Sequence, residues 1–312
     1  MKIKITILFI VVSCFANAQL TSVVTDVETG KPVPYVNIYR DDKHWVSADE
    51  NGAFTIDAQP EDILVFSAIG YETVRTNVGQ GASVRIVPAT YVLENVTITK
   101  AKRTVEKAIG GYARKSLDTY YTTGGTPEIL ARYFAPDKVL ATTPFLKTLV
   151  VNTKSPVRDA KFNVHFLEAN EDGTPGREMA NENIIGIAKK GVDDTQIDLA
   201  PYQLHIPESG FFIAVEWLII PENRYDGDSY TDKDGVYHEF ISYAPYFGTV
   251  RTEAETSTSW GFRTDAVWRQ FQKVSPQRIQ KYYDDFKKAT GKDAPPFDER
   301  HVEFAMKLTM TN

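Results

Sequence analysis

The sequence predicts an all-β protein made of two β-sandwich domains, and three observations carry that prediction. Short extended runs are separated by turns rich in Gly, Pro, Asn and Asp about every eight to twelve residues. In the clearest runs apolar and polar residues alternate with the two-residue period of a strand. Helical spacing is sustained in one stretch, at about residues 276–290. A chain of 312 residues suffices for two domains that each bury a core, and 42% hydrophobic with 24% charged residues excludes a wholly disordered chain.

The first eighteen residues stand apart. Met1–Lys4 is a short basic start, Ile5–Val12 is apolar apart from Thr6, and Ala16-Asn17-Ala18 is a small-x-small cleavage site ahead of Gln19. Residues 1–18 therefore read as a secretory signal, too short to cross about 30 Å of hydrocarbon as a helix. No later stretch reaches the roughly 18 apolar residues that a spanning helix needs, so no transmembrane helix is expected. Cys14, the single cysteine, ends Val11-Val12-Ser13-Cys14, which resembles a bacterial lipobox. The Ala-x-Ala ending favours cleavage after Ala18, which discards Cys14; a lipid anchor at Cys14 is the competing reading. Either route leads to the periplasm, the outer membrane or the medium. Loss of Lys2 and Lys4 leaves 33 basic against 41 acidic residues and moves the net charge from −6 to −8. Such a surface repels phosphate backbones, which argues against a nucleic-acid partner.

From residue 20 onward the expected strands are Leu20–Asp26, Pro34–Tyr39, His44–Ser47, Ala53–Asp57, Ile63–Ala68, Glu72–Thr76, Ser83–Val87 and Val92–Ile98. Thr29-Gly30-Lys31-Pro32 and Asp49-Glu50-Asn51-Gly52 each place Gly where a turn needs positive φ. Three spaced motifs, Asp26 with Thr29–Ile38, Ser47–Ile56 and Phe66–Tyr71, resemble the carboxypeptidase regulatory-like domain. The resemblance covers residues 19–99. It implies a transthyretin-like (prealbumin-like) β-sandwich in an envelope setting, and it implies no peptidase activity, because in that family the module accompanies the catalytic domain.

Residues 100–127 read as a linker and the start of the second domain, punctuated by Gly110-Gly111 and Gly124-Gly125. Residues 128–312 read as a jelly-roll-like sandwich of ten or so strands. In Lys161–Phe166, Phe162, Val164 and Phe166 share one face while Lys161, Asn163 and His165 share the other; a similar half-buried strand runs from Val302 to Thr311. Ser275-Pro276 is an N-cap and first-turn pair and Gly291 a C′ glycine, which frames one inserted amphipathic helix over about 276–290. Phe162–Phe166, the Gly173–Gly176 turn, Ile197–Leu199 and Phe211–Trp217 resemble the sandwich that often follows the regulatory-like module in uncharacterised Gram-negative envelope proteins. That resemblance implies no activity.

Most catalytic signatures are missing from the sequence. The five histidines are scattered without zinc-ligand spacing, and Gly227-Asp228-Ser229-Tyr230 lacks the second glycine of a nucleophile elbow. Asp226, Asp228, Asp232 and Asp234 precede Gly235 and offer hard oxygen ligands for calcium. An EF-hand register would place Tyr230 where the first carboxylate belongs, so the loop reads first as a solvated hairpin. Tyr225, Tyr230, Tyr237, Tyr243 and Tyr246 are the ligand-binding candidates, since aromatic faces stack on sugars or anchor protein partners. Trp260, Phe262 and Trp268 are expected to point into the sandwich. Glu216 shares a strand face with Phe212, Ala214 and Leu218, so it either looks outward or is buried and needs a partner. The expected function is that of a non-catalytic exported envelope protein that binds a protein partner or a surface glycan; the alternative is a glycan-active hydrolase using two carboxylates.

Overall fold

A computed structural model describes residues 19–40, 45–59, 61–77, 83–89, 104–136, 142–207, 209–227, 229–231, 235–263, 265 and 267–312. The signal reading with Cys14, and the expected strand Val92–Ile98, lie outside these residues, as do His44, Asp228, Asp232 and Asp234.

The N-terminal module contains β1 (Gln19–Asp26), β2 (Asn37–Tyr39), β3 (Trp45–Ser47), β4 (Ala53–Asp57), β5 (Ile63–Ser67), β6 (Val74–Asn77) and β7 (Val84–Ile86). They form a three-stranded sheet in the order β4-β1-β7 and a four-stranded sheet in the order β3-β2-β5-β6. Alternation does the sorting: Leu20, Val24, Phe54, Ile56, Val84 and Ile86 of the first sheet share a core with Ile38, Leu64 and Phe66 of the second. The strand expected from Pro34 begins only at Asn37, because Tyr35 takes a positive φ of 57°. Gly30 and Gly52 adopt the positive φ their turns require, and Gly52 is doubly constrained. A Cβ there would sit 2.7 Å from the Val24 carbonyl oxygen. Asp26 closes the first turn by accepting from the backbone N–H groups of Glu28 and Thr29, while Tyr71 donates to its other oxygen at 2.9 Å. These bonds, the Thr29 N–H foremost, favour the ionised form and lower the Asp26 pKa.

The rest of the chain builds a larger sandwich. Its strands are β8 (Glu106–Gly110), β9 (Leu117–Thr123), β10 (Ile129–Phe134), β11 (Phe145–Ser155), β12 (Ala160–Ala169), β13 (Pro175–Glu178), β14 (Ile184–Ala188), β15 (Gly191–Asp198), β16 (Phe211–Trp217), β17 (Arg224–Asp226), β20 (Ile241–Thr252), β21 (Ser259–Phe262), β22 (Trp268–Gln270), β23 (His301–Phe304) and β24 (Met306–Thr311), while β18 (Tyr230–Thr231) and β19 (Tyr237–His238) pair in a separate hairpin. A seven-stranded sheet follows the path β13-β12-β16-β10-β21-β22 with β14 beside β12. An eight-stranded sheet follows β17-β20-β11-β24-β8 with β15, β23 and β9 attached. These two sheets hold more strands than the ten or so expected, partly because residues 104–127 already contribute β8 and β9. Phe162, Val164, Phe211, Ile213 and Trp217 of one sheet meet Leu149, Val151, Phe247, Met306 and Leu308 of the other in one core. The chain is thus all-β, with one long α-helix among the described residues, α1 (Pro276–Thr290), besides three 3-10 turns at Arg114–Ser116, Ala200–Tyr202 and Pro221–Asn223. Ser275 caps it by accepting from the Arg278 N–H, and Gly291 ends it at φ 69°. Ile279 is its one buried residue, and Tyr282 lies edge-on to Phe297 of the segment that follows.

Candidate functional site

The site is built around β16, in which every residue is buried. Phe211, Ile213, Val215 and Trp217 fill the main core, so the opposite face carries Phe212, Ala214 and Glu216. That face would meet solvent in a lone sandwich. Here Ala131, Leu167, Phe212 and Ala214 form a second, smaller cluster, and the N-terminal module packs beside it. Asn163 and His165, on the face of β12 opposite Phe162, Val164 and Phe166, are therefore both buried, at 2% and 7% exposure.

Burying this face brings a chain of polar side chains together. Glu216, only 5% exposed, accepts from Asn37 Nδ2 at 2.7 Å through Oε1, and its Oε2 lies 3.1 Å from His165 Nε2. The other ring nitrogen, Nδ1, lies 2.8 Å from Oε2 of Glu178. Oε1 of Glu178 accepts three backbone N–H groups, from Phe166, Met179 and Ala180. On the module side Ser47 Oγ donates to Asn37 Oδ1 and accepts from the Ile219 N–H, while the Ser47 N–H donates to the Ile219 carbonyl. Burial alone would depress the His165 pKa. The two carboxylates bonded to its ring nitrogens outweigh burial and raise it to about 10, so the ring is an imidazolium at neutral pH and both nitrogens donate. Glu216 thus has the partner that its burial demanded, and the chain Ser47–Asn37–Glu216–His165–Glu178 fastens the module to the larger sandwich. Two flanking contacts support it, Lys161 Nζ to Glu50 at 2.7 Å and Asn183 Nδ2 to the Pro34 carbonyl at 3.2 Å.

A cleft of about 260 Å³ opens beside this chain, between the two domains. Ile69 and Gly70 of the module form one wall, and Ile129, Leu167, Phe262 and Trp268 of the sandwich form the other. His165 and Glu178 reach its floor. Phe262 and Trp268 touch, with ring centroids 5.1 Å apart. Trp260, Phe262 and Trp268 were expected inside the sandwich, and register explains why they lie outside it. Trp260 pairs with Ala131 and Phe262 with Ile129, and those positions alternate with the core residue Leu130, so all three rings cover the outer face.

Of the tyrosine candidates, Tyr225, Tyr243 and Tyr246 lie on the paired strands β17 and β20, while Tyr230 and Tyr237 lie apart in the β18–β19 hairpin. Tyr225 and Tyr243 pack against the main core, and burial raises the Tyr243 pKa. Tyr246 lies 5.8 Å from the Tyr225 ring, with the Lys154 ammonium 5.7 Å from its own centroid. Tyr237 is exposed, and Tyr230 pairs with His238 in the β18–β19 hairpin. Of the calcium candidates, Asp226 is described; it accepts from the Ser229 hydroxyl. Among the described residues no three His, Cys, Asp or Glu side chains gather as metal ligands, and no helix is long and apolar enough to cross a membrane.

Residues 20–98 match the CarboxypepD_reg-like domain family, so the N-terminal sandwich is a domain of that kind, as its motifs implied. That domain is regulatory-like and non-catalytic, which is compatible with a chain that is not an enzyme. No curated protein matches the chain.

Proposed function

We propose that this chain is a non-catalytic, exported envelope protein that binds a partner in the cleft between its two domains. The observation that carries the reading is the cleft itself: concave, aromatic on one side, and lined on its floor by the hydrogen-bonded pair His165 and Glu178. The N-terminal eighteen residues support export, with the periplasm, the outer-membrane surface or the medium as destination. The one carboxylate pair that converges here argues against hydrolysis. His165 spans Glu178 and Glu216, so its ring fills the space a scissile bond would need. As an imidazolium donating from both nitrogens, it has no lone pair with which to act as a base.

The test immobilises the exported chain, beside a Trp268→Ala variant, and offers each a native envelope extract and a glycan array. A ligand held by the parent chain and lost by the variant supports the proposal. Binding indifferent to Trp268, or turnover of an envelope substrate abolished by one Asp or Glu substitution, overturns it.

A further inference from the structure

The cleft also has a chemistry that narrows its occupant. Its volume of about 260 Å³ falls below the roughly 300–1,000 Å³ of sites that engulf a drug-sized ligand, so it suits one side chain rather than a whole small molecule. Its sandwich wall is apolar and aromatic, with the indole of Trp268 against the Phe262 ring. Its floor is ionic. His165 and Glu178 line it, and Glu216, bonded to the far side of the His165 ring and outside the lining, brings the net charge of the three side chains to minus one. A long apolar stem ending in a cation matches a wall and floor of this kind, since Lys and Arg lay their methylenes along apolar surface while the head seeks negative charge or an aromatic face. The whole chain is acidic, with a formal charge of −6, which favours approach of a basic partner.

We infer that the cleft receives a Lys or Arg side chain presented by a protein partner, its stem against Leu167, Phe262 and Trp268 and its head toward Glu178. This inference rests on the binding role proposed above and names the chemistry of the partner. Glu178 already accepts from three backbone N–H groups and from His165, so the head group gains the field of the carboxylate more than a new strong hydrogen bond. Modest affinity for a single residue follows, with a protein partner adding contacts around the rim.

The experiment follows the indole N–H resonance of Trp268, assigned by its loss in Trp268→Phe, while the chain is titrated with three blocked amino acids: N-acetyl-lysine, N-acetyl-norleucine and N-acetyl-glutamate N-methylamides. Lysine is expected to shift this resonance saturably, with a Kd at least tenfold below that of norleucine, and glutamate to leave it unmoved. In Glu178→Gln the advantage of lysine over norleucine shrinks at least threefold. Raising salt from about 50 to 500 mM weakens lysine and spares norleucine, a measurement that needs no variant. Equal binding of lysine and norleucine, or preference for glutamate, overturns the inference. If no probe shifts Trp268 while envelope or glycan capture still depends on Trp268, the basic anchor is wrong and the binding role stands. If that capture fails as well, both fall.

Discussion

Replacing His165 by Gln tests the buried polar chain at its centre. The raised pKa makes a signed prediction: a group that holds its proton more tightly when folded adds stability in full below its unfolded value of 6.5, and that stability is lost as pH rises toward about 10. Between those limits the native state binds one more proton than the unfolded state, so the His165 contribution falls by about 1.4 kcal/mol per pH unit, on the order of 5 kcal/mol across the window. Gln keeps a donor but carries no charge. It leaves Glu178 and Glu216 buried without a counter-ion, a loss of about 3–5 kcal/mol by analogy with broken buried ion pairs. Urea unfolding of parent and variant from pH 6 to pH 9.5 measures the difference directly, and the range stops short of Tyr71, whose pKa burial pushes up to about 12. The gap between the two proteins is expected to be widest near pH 6 and to narrow steadily toward pH 9.5. A gap that stays constant within about 1 kcal/mol would refute the imidazolium assignment.

Three further outcomes are expected. Asn37→Ala strips Glu216 Oε1 and the Ser47 hydroxyl of their shared partner, at about 1–3 kcal/mol; calorimetry should then resolve separate transitions for module and sandwich, whereas a single unshifted transition would show that the chain does not fasten them. Residues 19–99 expressed alone should unfold cooperatively, since the module has its own core, and Gly52→Ala in that fragment should cost about 1–3 kcal/mol, because positive φ and the close Val24 carbonyl both oppose a Cβ. Intact mass of protein isolated from its native source should give a chain beginning at Gln19, with or without pyroglutamate cyclisation; an acylated species beginning at Cys14 would replace the free form with a membrane-tethered one.

How much of this was legible in the sequence depended on the range of the force involved. Gly30, Gly52 and Gly291 could be assigned positive φ because a turn or helix end is decided by neighbouring residues, and α1 was bounded by Ser275, Pro276 and Gly291 for the same reason. Strand alternation identified the faces of β12 and β16 and left Glu216 either looking outward or buried and in need of a partner. It could not say whether the second face was wet, because alternation reports that two faces differ and not what covers them. Nor could it orient Trp260, Phe262 and Trp268, whose side depends on a one-residue choice of register against β10.

The sequence by itself determined that this is an all-β chain, that it opens with a regulatory-like module, and where the local turns and the single helix lie. Only the tertiary structure decided that Asn37, His165, Glu178 and Glu216 meet. Asn37 and Glu216 are 179 residues apart. Their hydrogen bond exists only once the two sandwiches pack with a particular pair of faces together, and no local pattern encodes that pairing.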